Sequence, residues 1–317
     1  MERVAAWART ITKNIEKVIY GKAGVIEKLL IVLLCRGHAL LEDVPGVGKT
    51  ILARALSLSL GGKFRRIQCT PDLLPADVLG VSVYNQETGE FEFRQGPIVT
   101  NILLVDEINR ATPRSQSALL ESMSEGRISV EGRAIVLPDP FFMIATENPV
   151  EFEGTFPLPE AQKDRFFLTL RMGYPPEEAE LEVMSSQQRL THPVTDLGQA
   201  SDLAELLELQ RGVLGVPVGQ PVKDYILRLV EETRQDARLQ LGASPRASMA
   251  LYKGGQAIAA LRGAPAVLPQ HIKELASPVL LKRISVKSEH LLRGVTEERV
   301  IAELLERVPA PVAEGAA

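Results

Sequence analysis

The stretch Glu42-Asp-Val-Pro-Gly-Val-Gly-Lys-Thr50 lies between an apolar run, Ala39-Leu40-Leu41, and a segment from Ile51 to Leu60 that sets Leu52, Ala55, Leu56 and Ser59 on one helical face. Strand, glycine-rich turn and helix in that order make a phosphate-binding loop. Successive backbone N–H groups around small residues converge on a phosphate, the following helix presents its positive end, and a lysine and a hydroxyl complete the cradle. Here those parts are Gly46, Val47, Gly48, Lys49 and Thr50, with Ile51 next along the helix. The pattern GxxxxGK(S/T) is broken only at its first position, which is Asp43. Asp43 falls at the strand end, ahead of the wrapping amides, whereas Gly46 and Gly48 stand where a Cβ would obstruct the loop. The mechanism therefore survives the departure.

A bound magnesium nucleotide also needs an acidic strand end, and Ile102-Leu-Leu-Val-Asp-Glu107 supplies one. Phosphoryl transfer to water asks little covalent help of a protein; it asks for an aligned water, a counter-ion and positive charge where the transition state spreads its negative charge. Lys49 would supply charge at the outer phosphate oxygens, and Thr50 and Asp106 would hold Mg²⁺. Glu107 would orient and deprotonate the attacking water. Together the two stretches read as an ATPase.

Working outward, strand candidates Ala39 to Asp43, Phe64 to Cys69, Ile102 to Glu107, Phe141 to Thr146 and Phe167 to Met172 alternate with helices. Such alternation argues for a parallel sheet covered on both faces, with ligands gathered at the carboxyl ends of its strands. Val4, Trp7, Ile11, Ile15 and Val18 recur at helical spacing and predict an amphipathic first helix. Two hairpins interrupt the alternation: Val81 and Val83 facing Phe91 and Phe93, and Arg127 to Val130 facing Ala134 to Leu137 across a turn ending at Arg133. Beyond Pro175-Pro176 the pattern is helical, over 177–189, 202–211, 222–238, 245–262 and 269–283. The expected architecture is a parallel-sheet α/β core over 1–174, an all-helical lid over 175–308 and a disordered tail over 309–317.

Bulk properties narrow the function classes. The chain has 317 residues, 45% of them hydrophobic, enough for more than one compact core. Net charge is -4, so no global positive field draws it to nucleic acid or acidic lipid. The longest apolar run, Leu29 to Cys35, is far short of the roughly 20 residues of a membrane-spanning helix. The N-terminus carries no secretory pattern, and a cytoplasmic location is expected. Cys35 and Cys69 lack metal or redox spacing and are expected to be reduced and structural; His38, His192, His271 and His290 form no ligand set.

Five ordered motifs then carry a resemblance. Leu40-Leu-Glu-Asp-Val-Pro-Gly-Val-Gly-Lys-Thr50, Leu104-Val-Asp-Glu-Ile-Asn-Arg-Ala111, Ala145-Thr-Glu-Asn-Pro149, Pro157-Leu-Pro-Glu-Ala-Gln-Lys-Asp-Arg-Phe166 and Gly242-Ala-Ser-Pro-Arg246 resemble the MoxR family of AAA+ ATPases. The likeness runs from about Ile19-Tyr-Gly21 to Arg283. It implies a P-loop core, ATP and Mg²⁺ clasped between core and lid, a homo-oligomeric ring, hexameric in the simplest case, and a chaperone-like role. It also implies that Asn148 positions the water beside Glu107. By the same resemblance Arg165 projects into the nucleotide of the next subunit, and Arg246 touches the γ-phosphate. Tyr20 and Gly21 are the candidates for a base-side contact. On the residues alone, Asn148-Pro149 also reads as a turn, Arg165 as a surface arginine paired with Asp164, and Ser244-Pro245 as an ordinary helix start.

The leading function is an ATP-driven remodeller of proteins, whose clients by resemblance include von Willebrand factor A domain proteins. A magnesium-chelatase-like motor subunit shares much of this core. A nucleic-acid motor would use comparable hairpins, but the first turn carries Glu87 and Glu90, which repel phosphate, and the second offers only Arg133 beside Glu131. A nucleotide-gated scaffold would keep every binding residue and differ only in rate. Nucleic-acid partners and membrane insertion are not expected.

Overall fold

Strands covered on both faces must be apolar along nearly their whole length, and the three inner strands of the core are. The structure is a computed structural model that describes residues 2–130, 132–149, 154–186 and 191–311. Helices α1 (Glu2–Glu16) and α2 (Ala23–Leu34) precede β1 (Ala39–Glu42), α3 (Lys49–Ser59) and β2 (Phe64–Gln68). A short α4 (Pro75–Leu79) leads into the hairpin β3 (Gly80–Asn85) and β4 (Glu90–Gln95). Next come β5 (Ile102–Asp106), α5 (Pro113–Glu125) and the hairpin β6 (Arg127–Val130) and β7 (Arg133–Val136). The core closes with β8 (Phe142–Glu147), α6 (Glu160–Lys163) and β9 (Leu168–Leu170). The five-stranded sheet runs β2-β5-β8-β1-β9, and every pair in it is parallel.

Period-two alternation sorts the strand side chains into two layers. Ala39, Leu41, Ile102, Leu104, Phe142 and Ile144 join α1, α2 and α3 on one face; Leu40, Leu103, Val105, Met143 and Ala145 join Val78, Leu119, Leu120 and Phe166 on the other. Each fully buried Leu, Ile or Phe contributes about 2 kcal/mol, so this two-sided burial, more than ladder hydrogen bonding, holds strands only a few residues long. At the sheet edge β2 exposes Arg65, Arg66 and Gln68, which blunts it against further pairing. The first helix forms as its spacing predicts, with Val4, Trp7, Ile11 and Ile15 buried. Its polar members are tied as well: Trp7 Nε1 donates to Ser201 Oγ at 2.9 Å, and Asn14 Nδ2 donates to Ser59 Oγ at 3.0 Å and to the Gly198 carbonyl at 2.8 Å.

Both hairpins form, each with a corrected detail. In the first, Phe91 pairs with Tyr84 and Phe93 with Ser82, while Val81 and Val83 lie opposite Arg94 and Glu92. Paired residues share a face, so the valines and phenylalanines lie on opposite faces of the ribbon. Tyr84 and Phe91 meet edge-on with ring centroids 5.3 Å apart. In the second, Val130 pairs with Arg133, which makes Arg133 a strand residue and shortens the turn.

The lid comprises α7 (Glu177–Ser186), α8 (Leu203–Val213), α9 (Gln220–Gln235), β10 (Leu239–Leu241), α10 (Pro245–Leu261), α11 (Pro269–Leu280), β11 (Ser285–Val286), α12 (Ser288–Leu291) and α13 (Glu297–Arg307). It is not purely helical, because β10 and β11 pair antiparallel. The pairing explains why two expected helices stop early: Arg238 turns back to bond Asp236, and the chain after Leu280 must reach β11. Helix α13 went unread in the sequence, although Thr296 caps it and Val300, Ile301 and Leu304 are buried at helical spacing. The expected end of the 177–189 helix, and most of the tail, lie outside the described residues.

Cys35 and Cys69 are free thiols; burial pushes both up, Cys69 to about 12. Three histidines hold backbone, His192 by accepting the Val194 N–H at Nδ1 at 3.2 Å. His271 Nδ1 accepts the Leu268 N–H at 3.1 Å at the start of α11, and His38 bridges β8 and α5. Among the described residues no helix is long and apolar enough to cross a membrane.

Candidate functional site

The sheet order puts β1 between β8 and β9 and sends the chain after β1 to the far edge strand β2, so a crevice opens at the carboxyl end of β1. Asp43 extends the pairing by one bond, its N–H donating to the Glu147 carbonyl at 3.1 Å. The chain then turns through Gly46 at φ +84° and Gly48 at φ +93°, left-handed conformations that glycine adopts without strain. Gly48 is the cap of α3, and its carbonyl accepts the Leu52 N–H at 2.9 Å. The first-turn N–H groups of a helix lack intrahelical acceptors, and those of α3 belong to residues that line a cavity of about 370 Å³. Contrary to the expectation that a Cβ would obstruct the loop, one built on Gly46 meets nothing within 4 Å and one on Gly48 only ordinary contacts, so glycine is required at both for backbone conformation and not for room.

Pro45, Gly46, Gly48, Lys49, Thr50 and Ile51 form one wall of this cavity; Arg66 and Gln68 of β2, Asp106, Glu107 and Asn148 form the other. Lys49 Nζ donates to the carbonyls of Asp43 and Val44, at 2.8 and 3.2 Å. Burial lowers its pKa, against the opposing pull of Asp106, Asp43 and Glu107. A lysine resting on loop carbonyls beside three carboxylates is poised to exchange those partners for phosphate oxygens.

The acidic wall is organised by Thr146 of β8, whose hydroxyl donates to Asp106 Oδ1 at 2.6 Å and accepts the Glu107 N–H at 2.8 Å. Glu107 is left-handed, at φ +56° and ψ +53°. For a residue with a Cβ this costs about 1–2 kcal/mol; the Thr146 bond holds it there. The Glu107 carboxylate accepts from Gln68 Nε2 at 2.8 Å and from Arg110 Nη1 at 3.2 Å. Arg66 spans Asp106 Oδ2 with Nε at 3.1 Å and Nη2 at 2.6 Å, and its Nη2 also bonds Gln68 Oε1. Asn148 is buried just past β8, and its carbonyl accepts Asn109 Nδ2 at 3.4 Å.

A second cavity of about 410 Å³ adjoins the loop on the lid side, sharing Gly46, Gly48 and Ile51 and adding Val47, Tyr20, Tyr174 and Val183. Tyr20, the expected base-side residue, lines it. Gly21 does not: a Cβ there would lie 3.1 Å from both Ala179 and Pro176, so Gly21 is where the α1–α2 connection meets the start of α7.

Neither Arg165 nor Arg246 lines either cavity. Arg165 is exposed and donates through Nη1 to the Leu120 carbonyl at 2.9 Å. Asp164 is committed to the lid: it accepts from Ser244 Oγ at 2.8 and 2.9 Å and from Arg283 Nε at 2.9 Å, with Arg246 Nη1 3.7 Å away. Arg283, nearly fully buried, also donates to the Phe166, Phe167 and Val279 carbonyls. Glu42 makes a second tie, to Arg171 at 2.9 Å and Lys282 at 2.6 Å. Burial pushes its carboxyl up, and those two cations hold it below the usual range.

Sequence reading missed Arg66, Gln68 and Thr146. The available signal was the spacing of Arg66 and Gln68 on one face of an edge strand beside the acidic one.

Residues 38–168 match the ATPase family associated with various cellular activities (AAA), and residues 231–304 match the AAA lid domain. The crystal structure of a candidate ATPase from Cytophaga hutchinsonii superposes with a TM-score of 0.90 at 35% identity, covering 98% of each chain. Fold and matches together define an AAA+ ATPase with its lid. Uncharacterized protein YeaC of Bacillus subtilis is 49% identical over 304 residues, 96% of this chain and 95% of that one. Chaperone MoxR1 of Mycobacterium tuberculosis is 39% identical over 322 residues, 98% and 85% of the two chains, and protein MoxR of Paracoccus denitrificans is 30% identical over 326 residues, 93% and 94%. The chain belongs to the MoxR family of AAA+ ATPases.

Proposed function

We propose that this chain hydrolyses ATP in an oligomeric ring, a hexamer in the simplest case, and uses the turnover in the cytoplasm to remodel client proteins, von Willebrand factor A domain proteins among them. One observation carries the reading: Lys49, Thr50, Asp106, Glu107 and Asn148, from three separate stretches of sequence, line a single cavity at the strand ends. Its volume of about 370 Å³, continuous in residues with the lid-side cavity of about 410 Å³, suits phosphates at one end and a base at the other.

The residues fit a magnesium triphosphate. Thr50 and Asp106 offer the hard oxygen donors that Mg²⁺ takes, and the ion would neutralise phosphate charge there. Lys49 exchanges its loop carbonyls for phosphate oxygens. Glu107, at the cavity wall and fixed by Thr146, takes a proton from water, while Asn148 orients that water. Arg165 stands outside its own cavity and is exposed, which supports delivery to the nucleotide of a neighbouring subunit. Arg246 reaches the phosphates from the lid once it leaves Asp164.

The client role is supported by the name of the chaperone relative and by the first hairpin, which exposes Tyr84 and Phe91. The acidic turn of that hairpin disfavours a nucleic-acid motor, and a DNA-binding titration across salt concentration separates the two readings. The decisive experiment is ATP turnover by the purified full chain, with Glu107→Gln as control. Turnover that vanishes in the variant supports the reading; no turnover by the native chain at any protein concentration or with any client overturns it.

A further inference from the structure

Asp43 occupies the position where a phosphate loop ordinarily carries its first glycine. Its side chain is buried, and both oxygens are used. Oδ1 accepts the N–H of Val44 at 3.0 Å, within the loop. Oδ2 accepts the N–H of Gly173 at 2.7 Å, where the chain leaves β9 for the lid. The first bond is an ordinary local turn. The second crosses from the loop to the core–lid connection, and a glycine could not make it.

Gly173 has φ +64°, and a Cβ built there meets nothing within 4 Å. Glycine is thus needed at 173 for its backbone conformation, not for room. The far side of the same connection is held by Lys22, a buried lysine whose Nζ donates to the carbonyls of Met172, Gly173 and Tyr174 at 2.6, 3.0 and 2.9 Å. A permissive residue is therefore gripped from both sides by charged side chains, one of them belonging to the phosphate loop.

Lys49 links this grip to the cavity. Its Nζ rests on the main-chain carbonyl of Asp43. To reach phosphate, Lys49 must release the residue whose carboxylate holds Gly173.

We infer that Asp43 is a positioning residue: it couples the phosphate loop to the hinge at 172–174, so that filling the cavity resets the hinge and with it the lid. The inference rests on the proposed binding of a nucleotide between core and lid. It gives the departure from the loop pattern a purpose, since hinge control needs a carboxylate where phosphate binding alone needs none.

The test is amide hydrogen exchange at 172–174 in the full chain, with and without a non-hydrolysable ATP analogue, for the native protein and Asp43→Gly. Affinity is measured in parallel with a fluorescent ATP analogue. Asp43→Gly restores the usual loop pattern and is expected to keep affinity to within about tenfold. It is expected to lose the nucleotide-dependent change in exchange, with kcat falling about 10²-fold and KM little altered. Should Asp43→Gly not fold, Asp43→Asn, which leaves one of the two N–H groups facing an amide NH₂, and Lys22→Met from the opposite side take its place, each expected to diminish the response. An analogue that binds the variants and changes exchange at 172–174 as in the native protein overturns the coupling alone. A native protein that binds no analogue overturns both the coupling and the reading beneath it.

Discussion

The guanidinium of Arg66 lies across Asp106, with Nε 3.1 Å and Nη2 2.6 Å from the same carboxylate oxygen. A side-chain cation thus lies on an oxygen of the carboxylate that, under the proposed function, would hold Mg²⁺. Arg66 is close to half exposed, so the pair is worth no more than about 1 kcal/mol, roughly a fivefold effect on a competing cation. Arg66→Ala is expected to lower the Mg²⁺ concentration at half-maximal turnover by that factor at saturating ATP. A Mg²⁺ requirement that rises or stays fixed would show that the pair does not compete.

Glu107→Gln keeps the side-chain volume and removes the base. Gln68 and Arg110 lose a carboxylate partner, but neither lies in the loop that cradles phosphate. ATP affinity is expected to hold while kcat falls about 10²- to 10⁴-fold. Single-turnover measurements read the two separately, and normal hydrolysis by the variant removes Glu107 from the role of base.

An arginine supplied by a neighbour makes rate depend on assembly. Specific activity is expected to rise steeply with protein concentration, and Arg165→Ala to cost about 10³-fold or more in turnover while ATP still binds. Mixing Arg165→Ala with Glu107→Gln subunits should restore part of the activity, because each lacks what the other supplies. Concentration-independent activity in a monomeric sample would defeat this.

His38 makes stability depend on pH. Its Nδ1 accepts the Met143 N–H at 3.0 Å, so the proton sits on Nε2, which faces the Met123 carbonyl at 3.2 Å. Burial lowers its pKa from 6.5 to about 4, with the Met123 bond opposing. The unfolded chain therefore binds a proton that the folded protein refuses across that interval. Stability from this residue is complete above pH 6.5 and is lost as the pH falls toward 4, by on the order of 3 kcal/mol. Urea midpoints from pH 7 downward should show the decline, and His38→Gln should reduce it, leaving the smaller part due to His271, whose pKa burial also lowers from 6.5. Glu42 and Asp236, whose pKa values are lowered from 4.5 and 3.8, add their losses only at the acid end of this window and below it.

The sheet was legible because β1, β5 and β8 are buried on both faces, and only continuous apolar runs satisfy that. The phosphate loop was legible because its chemistry fixes residue types at fixed spacing. What escaped was set by tertiary pairing. Arg66, Gln68 and Thr146 acquire meaning only when β2 and β8 flank β5, an order no local pattern states. The first hairpin was found but its partners were offset, since Val81 and Phe93 differ only in which face of the ribbon they share. Gly21, expected on the base side with Tyr20, lines neither cavity, and its missing Cβ is what lets the α1–α2 connection approach Pro176 and Ala179.

Asp164 belongs by sequence to the core, yet Ser244 and Arg283 fasten it to the lid. Arg165 follows it directly while its exposed guanidinium holds the Leu120 carbonyl of α5, so two adjacent residues join lid and core. Under the proposed function, a shift of the lid would therefore be felt through Asp164 at the very residue proposed to serve a neighbouring nucleotide.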